Sequence, residues 1–351
     1  MLFVLFFATL LPAKAQEAPA PDKPSATPEA EASPSPTPSS QAVQEALLIV
    51  TSKEGAGSGF VAQMNGMNYL ITNAHVIAGA TRLEMKSLSG QTLTPGKGRL
   101  AVGHDVAAFT VDKVPMFLEV APDVGGQVSI GDEVVIYGNS LGASVATEIR
   151  GKVLGIGPNE IEVDAPFVPG NSGSPIIHVK TGKVIGIASY IRTRKGDDLT
   201  KDSDIKEIRR FGYRLDTIAK WQDLNWPLFQ REAAVIQGIE EFTGDYDAFW
   251  QYVAKKKPSA FELGSRNRRL QRHIRDFQGS INRRVSDADF HKALTSFLRG
   301  LKSESMQEFL PGRPVPQYWF LQKQWAEQKE IREEISEDLN QDIQERQTRA
   351  N

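Results

Sequence analysis

The chain has 351 residues, a length that suggests two domains plus an unstructured remainder at roughly 150 residues per domain. Hydrophobic residues make up 40% and charged residues 24%, and beyond the first residues no stretch approaches the ~18 apolar residues of a spanning helix, which excludes a polytopic membrane protein. With 41 basic and 43 acidic residues, no global charge draws the molecule onto nucleic acid. The absence of cysteine excludes disulfides, thiolate metal sites and cysteine nucleophiles.

The chain begins with a short apolar segment, MLFVLFFATLLPAKA, that ends in a small-x-small pattern. This pattern is typical of a secretory signal cut after Ala15, so we expect residues 1–15 to be a signal peptide of an exported, periplasmic or secreted protein. Because no Lys or Arg precedes the apolar run, an uncleaved membrane anchor is the alternative. Residues 16–42 are dominated by Pro, Ala, Ser, Thr and Glu, which predicts a disordered linker.

Residues 43–228 consist of short β-rich runs separated by Gly, Asn and Asp, for example NYLITNAHV, EVVIYGN and VIGIASY. Many short strands at regular spacing predict an all-β barrel or sandwich rather than a βαβ fold. After Asp216 the periodicity becomes helical, beginning with TIAKWQDL. We therefore expect residues 229–351 to form a separate, mainly α-helical C-terminal region.

Three segments of the β-rich part supply a nucleophile, a base and an acid. His75 lies in TNAHVI after an apolar strand, Asp105 lies in GHDVAAF, and Ser172 lies in the Gly-rich turn PGNSGSPI. An aliphatic hydroxyl is a poor nucleophile until a neighbouring imidazole takes its proton, and a carboxylate on the other ring nitrogen fixes the tautomer. Each residue alone is more often structural, but the three together favour a site for acyl transfer.

These segments resemble those of the trypsin/chymotrypsin-like serine proteases, in particular the bacterial HtrA-type and glutamyl-endopeptidase-type branches. The order His, Asp, Ser and the string GNSGSP match, and the resemblance covers roughly residues 46–220. It implies an all-β, chymotrypsin-like pair of six-stranded barrels with the site in the cleft between them, followed by a helix for which TIAKWQDL is the candidate. It also implies an endopeptidase that acts on polypeptides without a cofactor.

The same resemblance assigns further roles around the catalytic candidates. The backbone N–H groups of Gly170 and Ser172 match the oxyanion hole. Pro166, Ser189 and Tyr190 match positions that contact substrate.

Departures from the family pattern bear on specificity and activation. Pro166 stands where trypsin-like enzymes have an aspartate, and Ala188 stands where glutamate-selective relatives have a histidine. We therefore expect a modest apolar side chain at the cleavage point. Asn171 replaces the aspartate that receives a newly cut amino terminus in animal digestive proteases, so we expect no zymogen switch of that kind.

The helical region has no recognised family, and it lacks the strand alternation of the PDZ modules that HtrA-type proteases usually carry. Lys255 to Arg284 is a basic stretch. We interpret it as a solvated helix face, with weak polyanion or anionic-lipid contact as the alternative, and we expect no nucleic-acid partner. An apolar stripe in the tail indicates core packing, with oligomerisation not favoured; it comprises Ile331, Ile335, Leu339 and Ile343.

Two further expectations concern metal binding and the alternative to an enzyme. No pair of histidines has HExxH-like spacing, so we expect no metal. The alternative to an enzyme is a non-catalytic protein-binding module on a protease scaffold, with the helical region as its interaction surface.

Overall fold

The computed structural model describes residues 40–51, 56–193, 208–255 and 315–350, with gaps at 65, 81–82, 113, 115 and 144, together with parts of 272–300. The chain divides into two compact units, Met1–Asn225 and Trp226–Asn351. The predicted signal peptide, nearly all of the predicted linker and most of the basic stretch lie outside the described residues.

The first half of unit 1 is a nine-stranded sheet with the order β15-β6-β7-β3-β2-β1-β4-β5, in which β8 pairs in parallel with β2. The neighbouring strands along that order are antiparallel. The helices α1 (Ser40–Ala46) and α2 (Ala74–Ile77) flank this sheet along the chain. Its strands are β1 Leu47–Thr51, β2 Ala56–Met64, β3 Met67–Thr72, β4 Glu84–Ser87, β5 Thr92–Leu93, β6 Gly98–Ala101, β7 Ala107–Thr110, β8 Leu118–Glu119 and β15 Trp221–Asp223.

The second half of unit 1 is a closed barrel with the order β10-β11-β14-β13-β12-β9. Helix α3 (Val124–Gln127) precedes it, and a 3₁₀ turn (Ser140–Gly142) follows β9. Alternating apolar side chains fill its interior, and a second hydrophobic cluster joins residues of the sheet to residues of the barrel. The strands are β9 Glu133–Gly138, β10 Thr147–Ile156, β11 Glu160–Val163, β12 Pro175–His178, β13 Val184–Thr193 and β14 Ile208–Tyr213.

The closed six-stranded barrel confirms part of the predicted all-β fold. Over the described residues the other half is a nine-stranded sheet rather than a second six-stranded barrel. The helix predicted at TIAKWQDL is wrong, because Trp221–Asp223 forms strand β15 against β6. The Arg99 guanidinium lies 4.5 Å from the centre of the Trp221 ring, so cross-strand pairing and cation–π packing outweigh the local helical pattern.

Unit 2 contains two long helices, α4 (Trp226–Lys255) and α5 (Trp319–Ala350), and residues 292–300 are also helical. The helices pack through buried apolar side chains, and the ring of Phe229 meets that of Tyr318 edge to face at 5.3 Å. The prediction of a helical C-terminal region is therefore confirmed for the described parts of this unit. The side chains of Ile335, Leu339 and Ile343 lie outside the described set, so the role of the apolar stripe stays a prediction. None of the helices described is both long and apolar enough to cross a membrane.

A buried ion pair closes the end of the barrel. Arg214 donates to both carboxylate oxygens of Asp216, at 3.1 and 2.7 Å, and to the carbonyl of Gly157 at 2.9 Å. The Asp216 carboxylate also accepts the N–H of Val124 at 2.9 Å. Burial alone would raise the pKa of Asp216, but the bonds from Arg214 and Val124 outweigh it and hold the pKa below its ordinary value of 3.8.

We expect Asp216→Asn to lower the free energy of unfolding by about 3 kcal/mol at neutral pH, because it leaves the buried Arg214 unpaired. A carboxyl group whose pKa is lowered by folding stabilises the protein above its unfolded-state pKa, and this contribution is lost as the pH falls through the folded-state pKa. The difference from wild type should therefore shrink in acid, below about pH 4. Urea unfolding at pH 7 and pH 3.5 measures both effects, with the exposed Asp112→Asn as control. A difference that does not depend on pH would contradict this account.

Candidate active site

His75 and Asp105 meet beside the edge where β3 ends and β7 begins. His75 lies in the single turn of α2 directly after β3, and Asp105 lies in the turn between β6 and β7. The ring Nδ1 of His75 lies 2.6 Å from Oδ2 of Asp105, and the backbone N–H of His75 donates to Oδ1 at 3.0 Å. Because a carboxylate only accepts, Nδ1 carries the proton, and Nε2 is left as the basic nitrogen.

The Asp105 carboxylate is itself held by the barrel. Ser189 in β13 donates its hydroxyl to Oδ2 of Asp105 at 2.7 Å. The side-chain amide of Asn73 donates to the Asp105 carbonyl at 2.7 Å. Asp105 and Ser189 are each only 5% exposed, so these bonds form away from water and fix the carboxylate in one orientation.

The turn that carries Ser172 requires glycine at two positions. Gly170 has φ +93° and Gly173 has φ +90°, a region that side chains with a Cβ rarely adopt. A Cβ at Gly173 would collide with the carbonyl of Ser58, and one at Gly170 would collide with the carbonyl of Asn139. The string GNSG therefore reflects a backbone shape that no other residue type fits at these two points.

Ser172 lies close to strand β2 at the point where β2 contacts α2. A Cβ added at Gly57 in β2 would lie 2.8 Å from Cγ1 of Val76 and 3.2 Å from the carbonyl oxygen of Ser172. The Ser172 hydroxyl donates to the carbonyl of Ser189 at 3.4 Å, and among the described residues it makes no hydrogen bond to His75. The structure thus brings all three candidates to one place and has the hydroxyl turned toward β13.

Two backbone N–H groups of this turn have no hydrogen-bond acceptor among the described residues. Within the described part of the chain, neither the N–H of Gly170 nor that of Ser172 donates to a protein oxygen. The neighbouring N–H groups of Asn171 and Gly173 are bonded, to the carbonyls of Val168 and Ala188 at 3.0 and 2.9 Å. Two free donors separated by one residue can hold one oxyanion.

Ser58 in β2 is a residue of the site that the sequence reasoning missed. Its N–H donates to the carbonyl of Ser172 and its hydroxyl donates to the carbonyl of Gly170, both at 2.8 Å. The same hydroxyl accepts the N–H of Asn139 at 2.8 Å. Ser58 therefore binds the first and the last residue of the segment 170–172 to the sheet. The only sign of this role in the sequence is a serine between two glycines in a strand (AGSGF).

The predicted substrate-binding residues lie on the barrel side of Ser172. Pro166 is exposed, while Ser189 is buried next to Asp105 as described above. The hydroxyl of Tyr190 donates to Glu160 at 2.7 Å, and its ring stacks on Phe211 with centroids 5.2 Å apart. Burial, together with this bond to a carboxylate, raises the pKa of Tyr190 well above its ordinary range, so the phenol stays protonated.

The part of the chain that contains these residues is similar to known proteins. Residues 57–187 match the family described as trypsin-like peptidase domain. The chain is 33% identical over 155 residues to a probable periplasmic serine endoprotease DegP-like of Hahella chejuensis, covering 41% of this chain and 31% of that protein. It is 30% identical over 150 residues to the putative serine protease HhoA of Synechocystis, covering 39% and 37%. The chain thus spans about a third of the length of these relatives.

Among solved structures, the HtrA-type protease AlgW with tripeptide is 24% identical, with a TM-score of 0.38 over 51% of this chain and 59% of that one. The inactive Ser343Ala form of Rv3671c from M. tuberculosis is 20% identical, with a TM-score of 0.40 over 54% and 92%.

We expect Ser58→Ala to lower the free energy of unfolding by about 1–3 kcal/mol, because the carbonyl of Gly170 and the N–H of Asn139 lose a buried partner. Urea unfolding measures this loss. Ser129→Ala, on an exposed serine of the same unit, is the control and should change stability by less than about 0.5 kcal/mol. Equal stability of the two variants would show that the Ser58 hydroxyl does not hold the turn.

Proposed function

We propose that this protein is an exported serine endopeptidase of the trypsin-like, HtrA-type family. The match of residues 57–187 to the trypsin-like peptidase domain and the similarity to a DegP-like endoprotease support this proposal. Ser172 is the nucleophile, His75 is the general base and acid, and Asp105 orients His75. The observation that carries the proposal is the 2.6 Å contact between His75 Nδ1 and Asp105 Oδ2. Ser189 links this pair to the nucleophile candidate, since its hydroxyl donates to Asp105 and its carbonyl accepts the hydroxyl of Ser172.

In the first step the hydroxyl of Ser172 turns from the carbonyl of Ser189 toward Nε2 of His75. Nε2 takes the hydroxyl proton while Oγ attacks the substrate carbonyl, and the imidazolium that forms is stabilised by the Asp105 carboxylate. Because Asp105 holds Nδ1–H, the ring presents its basic nitrogen to the reaction. His75 then gives its proton to the leaving amine, which leaves an acyl-enzyme on Ser172.

The oxyanion of each tetrahedral intermediate is held by the N–H groups of Gly170 and Ser172. Each such donor contributes about 10²–10³ in turnover in acyl-transfer enzymes. Water then attacks the acyl-enzyme with His75 as base, and the hydroxyl of Ser172 is regenerated. The positions of both donors depend on the bonds from Ser58 to Gly170 and Ser172.

The substrates are polypeptides, contacted through Pro166, Ser189 and Tyr190. Export is supported by the N-terminal segment and by the periplasmic assignment in the name of the Hahella relative. In this proposal the chain comprises a signal peptide (1–15), a linker (16–42), the protease domain (43–228) and a helical region (229–351). No step requires a cofactor or a metal.

A second candidate is a non-catalytic binding module on the same scaffold. One observation favours it: the Ser172 hydroxyl bonds to Ser189 rather than to His75. This contact is long and weak at 3.4 Å, and catalytic hydrogen bonds often shorten only when substrate binds, so the protease is the better conclusion.

We expect the wild-type protein to hydrolyse an unfolded polypeptide such as reduced, alkylated casein. Ser172→Ala should abolish this activity, and Asp105→Asn should lower kcat by about 10⁴-fold, because His75 then takes the wrong tautomer. Release of new amino termini measures the rate, and circular dichroism checks folding. Asp223→Asn, on an exposed carboxylate, is the matched control and should retain full activity. Hydrolysis that persists in Ser172→Ala would contradict the proposal.

A further inference from the structure

Arg210 in β14 is a half-buried cation with no carboxylate partner among the described residues. Its Nε donates to the carbonyl of Phe167 at 2.9 Å, which is the one hydrogen bond that its side chain makes in the described part of the chain. Burial lowers its pKa, and no charged neighbour offsets that effect. The terminal nitrogens of the guanidinium therefore have donors to offer.

Two other arginines on β14 or directly after it are paired with carboxylates. Arg209 makes two bonds to the carboxylate of Glu162, at 2.8 and 2.7 Å, and Arg214 makes two to Asp216. The carboxylate of Glu160 accepts the hydroxyl of Tyr190. Arg210 thus differs from Arg209 and Arg214, whose positive charges are neutralised by described carboxylates.

Strand geometry places Arg210 on the opposite face of β14 from these groups. Arg209 and Phe211 share the face that carries Tyr190, since the guanidinium of Arg209 lies 5.0 Å from the Phe211 ring and that ring stacks on Tyr190. Side chains alternate along a strand, so Arg210 lies on the inner face, opposite Val163 and Ile191 in the ladder.

Arg210 contacts the segment that leads to Ser172. Phe167, whose carbonyl Arg210 binds, lies five residues before Ser172 and directly after Pro166. Ile191, the ladder partner of Arg210, lies two residues after Ser189, whose carbonyl accepts the Ser172 hydroxyl. Arg210 is therefore linked on one side to the segment 166–172 and on the other to the part of β13 that follows Ser189.

Resting on the proposed function, we propose that Arg210 selects substrates with an aspartate or glutamate side chain at the residue whose carbonyl Ser172 attacks. The expectation of an apolar side chain at this point considered only Pro166, Ala188 and the strand at Ser189, and it did not include β14. The register of β14 and the bond to Phe167 bring a cation next to the same two segments.

The physical reason is desolvation. A half-buried guanidinium without an anion loses part of its hydration and forms no ion pair to compensate for that loss. A carboxylate beside it would form charge-assisted hydrogen bonds of about twice the strength of neutral ones. An apolar side chain would desolvate Arg210 further without pairing it. A lysine or arginine would be repelled. Arg210 would therefore discriminate between substrates in two ways: it attracts an acidic side chain, and it makes the binding of an apolar or basic side chain less favourable.

The test uses the full-length exported protein and internally quenched peptides that differ only in the residue before one scissile bond: Glu, Asp, Gln, Val, Leu, Ala or Lys. We expect kcat/KM for Glu to exceed that for Gln by about 10- to 100-fold. In Arg210→Gln this ratio should fall to about one while the Gln and Val peptides are still cleaved, which shows that the catalytic site is intact. Arg210→Lys should keep part of the preference.

Arg209→Gln is the matched control, because it removes a neighbouring positive charge from the outer face of the same strand. It should leave the Glu to Gln ratio unchanged. If wild type cleaves after Val, Leu or Ala as readily as after Glu, the inference is wrong and the proposed protease stands. If folded wild type cleaves no peptide of the set and no casein, both are wrong.

Discussion

The rest of the site depends on the hydrogen bonds that the carboxylate of Asp105 accepts. It accepts the backbone N–H and the ring Nδ1–H of His75 from one side and the hydroxyl of Ser189 from the other. His75 and Asp105 belong to the nine-stranded sheet and Ser189 to the closed barrel, so one buried charge joins the two halves of unit 1. Its position decides which ring nitrogen of His75 carries the proton and which is left without one, as the proposed role of His75 as a base requires.

A second set of hydrogen bonds between the sheet and the barrel holds the turn that carries Ser172. Ser58 in the sheet binds the carbonyls of Gly170 and Ser172 in the barrel, and the positive φ angles of Gly170 and Gly173 let the turn pass close to the strand. Neither half contains a complete site. The Ser172 turn, His75 and Asp105 therefore come together only where the sheet and the barrel meet.

Short local motifs were sufficient to single out the three catalytic candidates, because each motif carries its own backbone context: a histidine at a strand end, an aspartate in a turn, and a serine in a Gly-Asn-Ser-Gly turn. The closed barrel was predicted from the many short strands and the family resemblance. Ser58 could not be predicted in this way, since its hydroxyl acts on Gly170, 112 residues away. Arg210 was missed because strand register, not local sequence, sets the face it occupies. TIAKWQDL was misjudged because its apolar spacing fits a helix, whereas pairing with β6 determines its conformation.

If Asp105 and His75 make Ser172 a nucleophile, a fluorophosphonate should label Ser172 covalently, whatever the substrate preference of the protein. We expect intact mass to show a single adduct on wild type, which peptide mapping assigns to Ser172, and no adduct on the folded variant His75→Ala. Folded wild-type protein that takes no adduct, or an adduct on Ser172 that forms equally fast without His75, would contradict this role of Asp105 and His75.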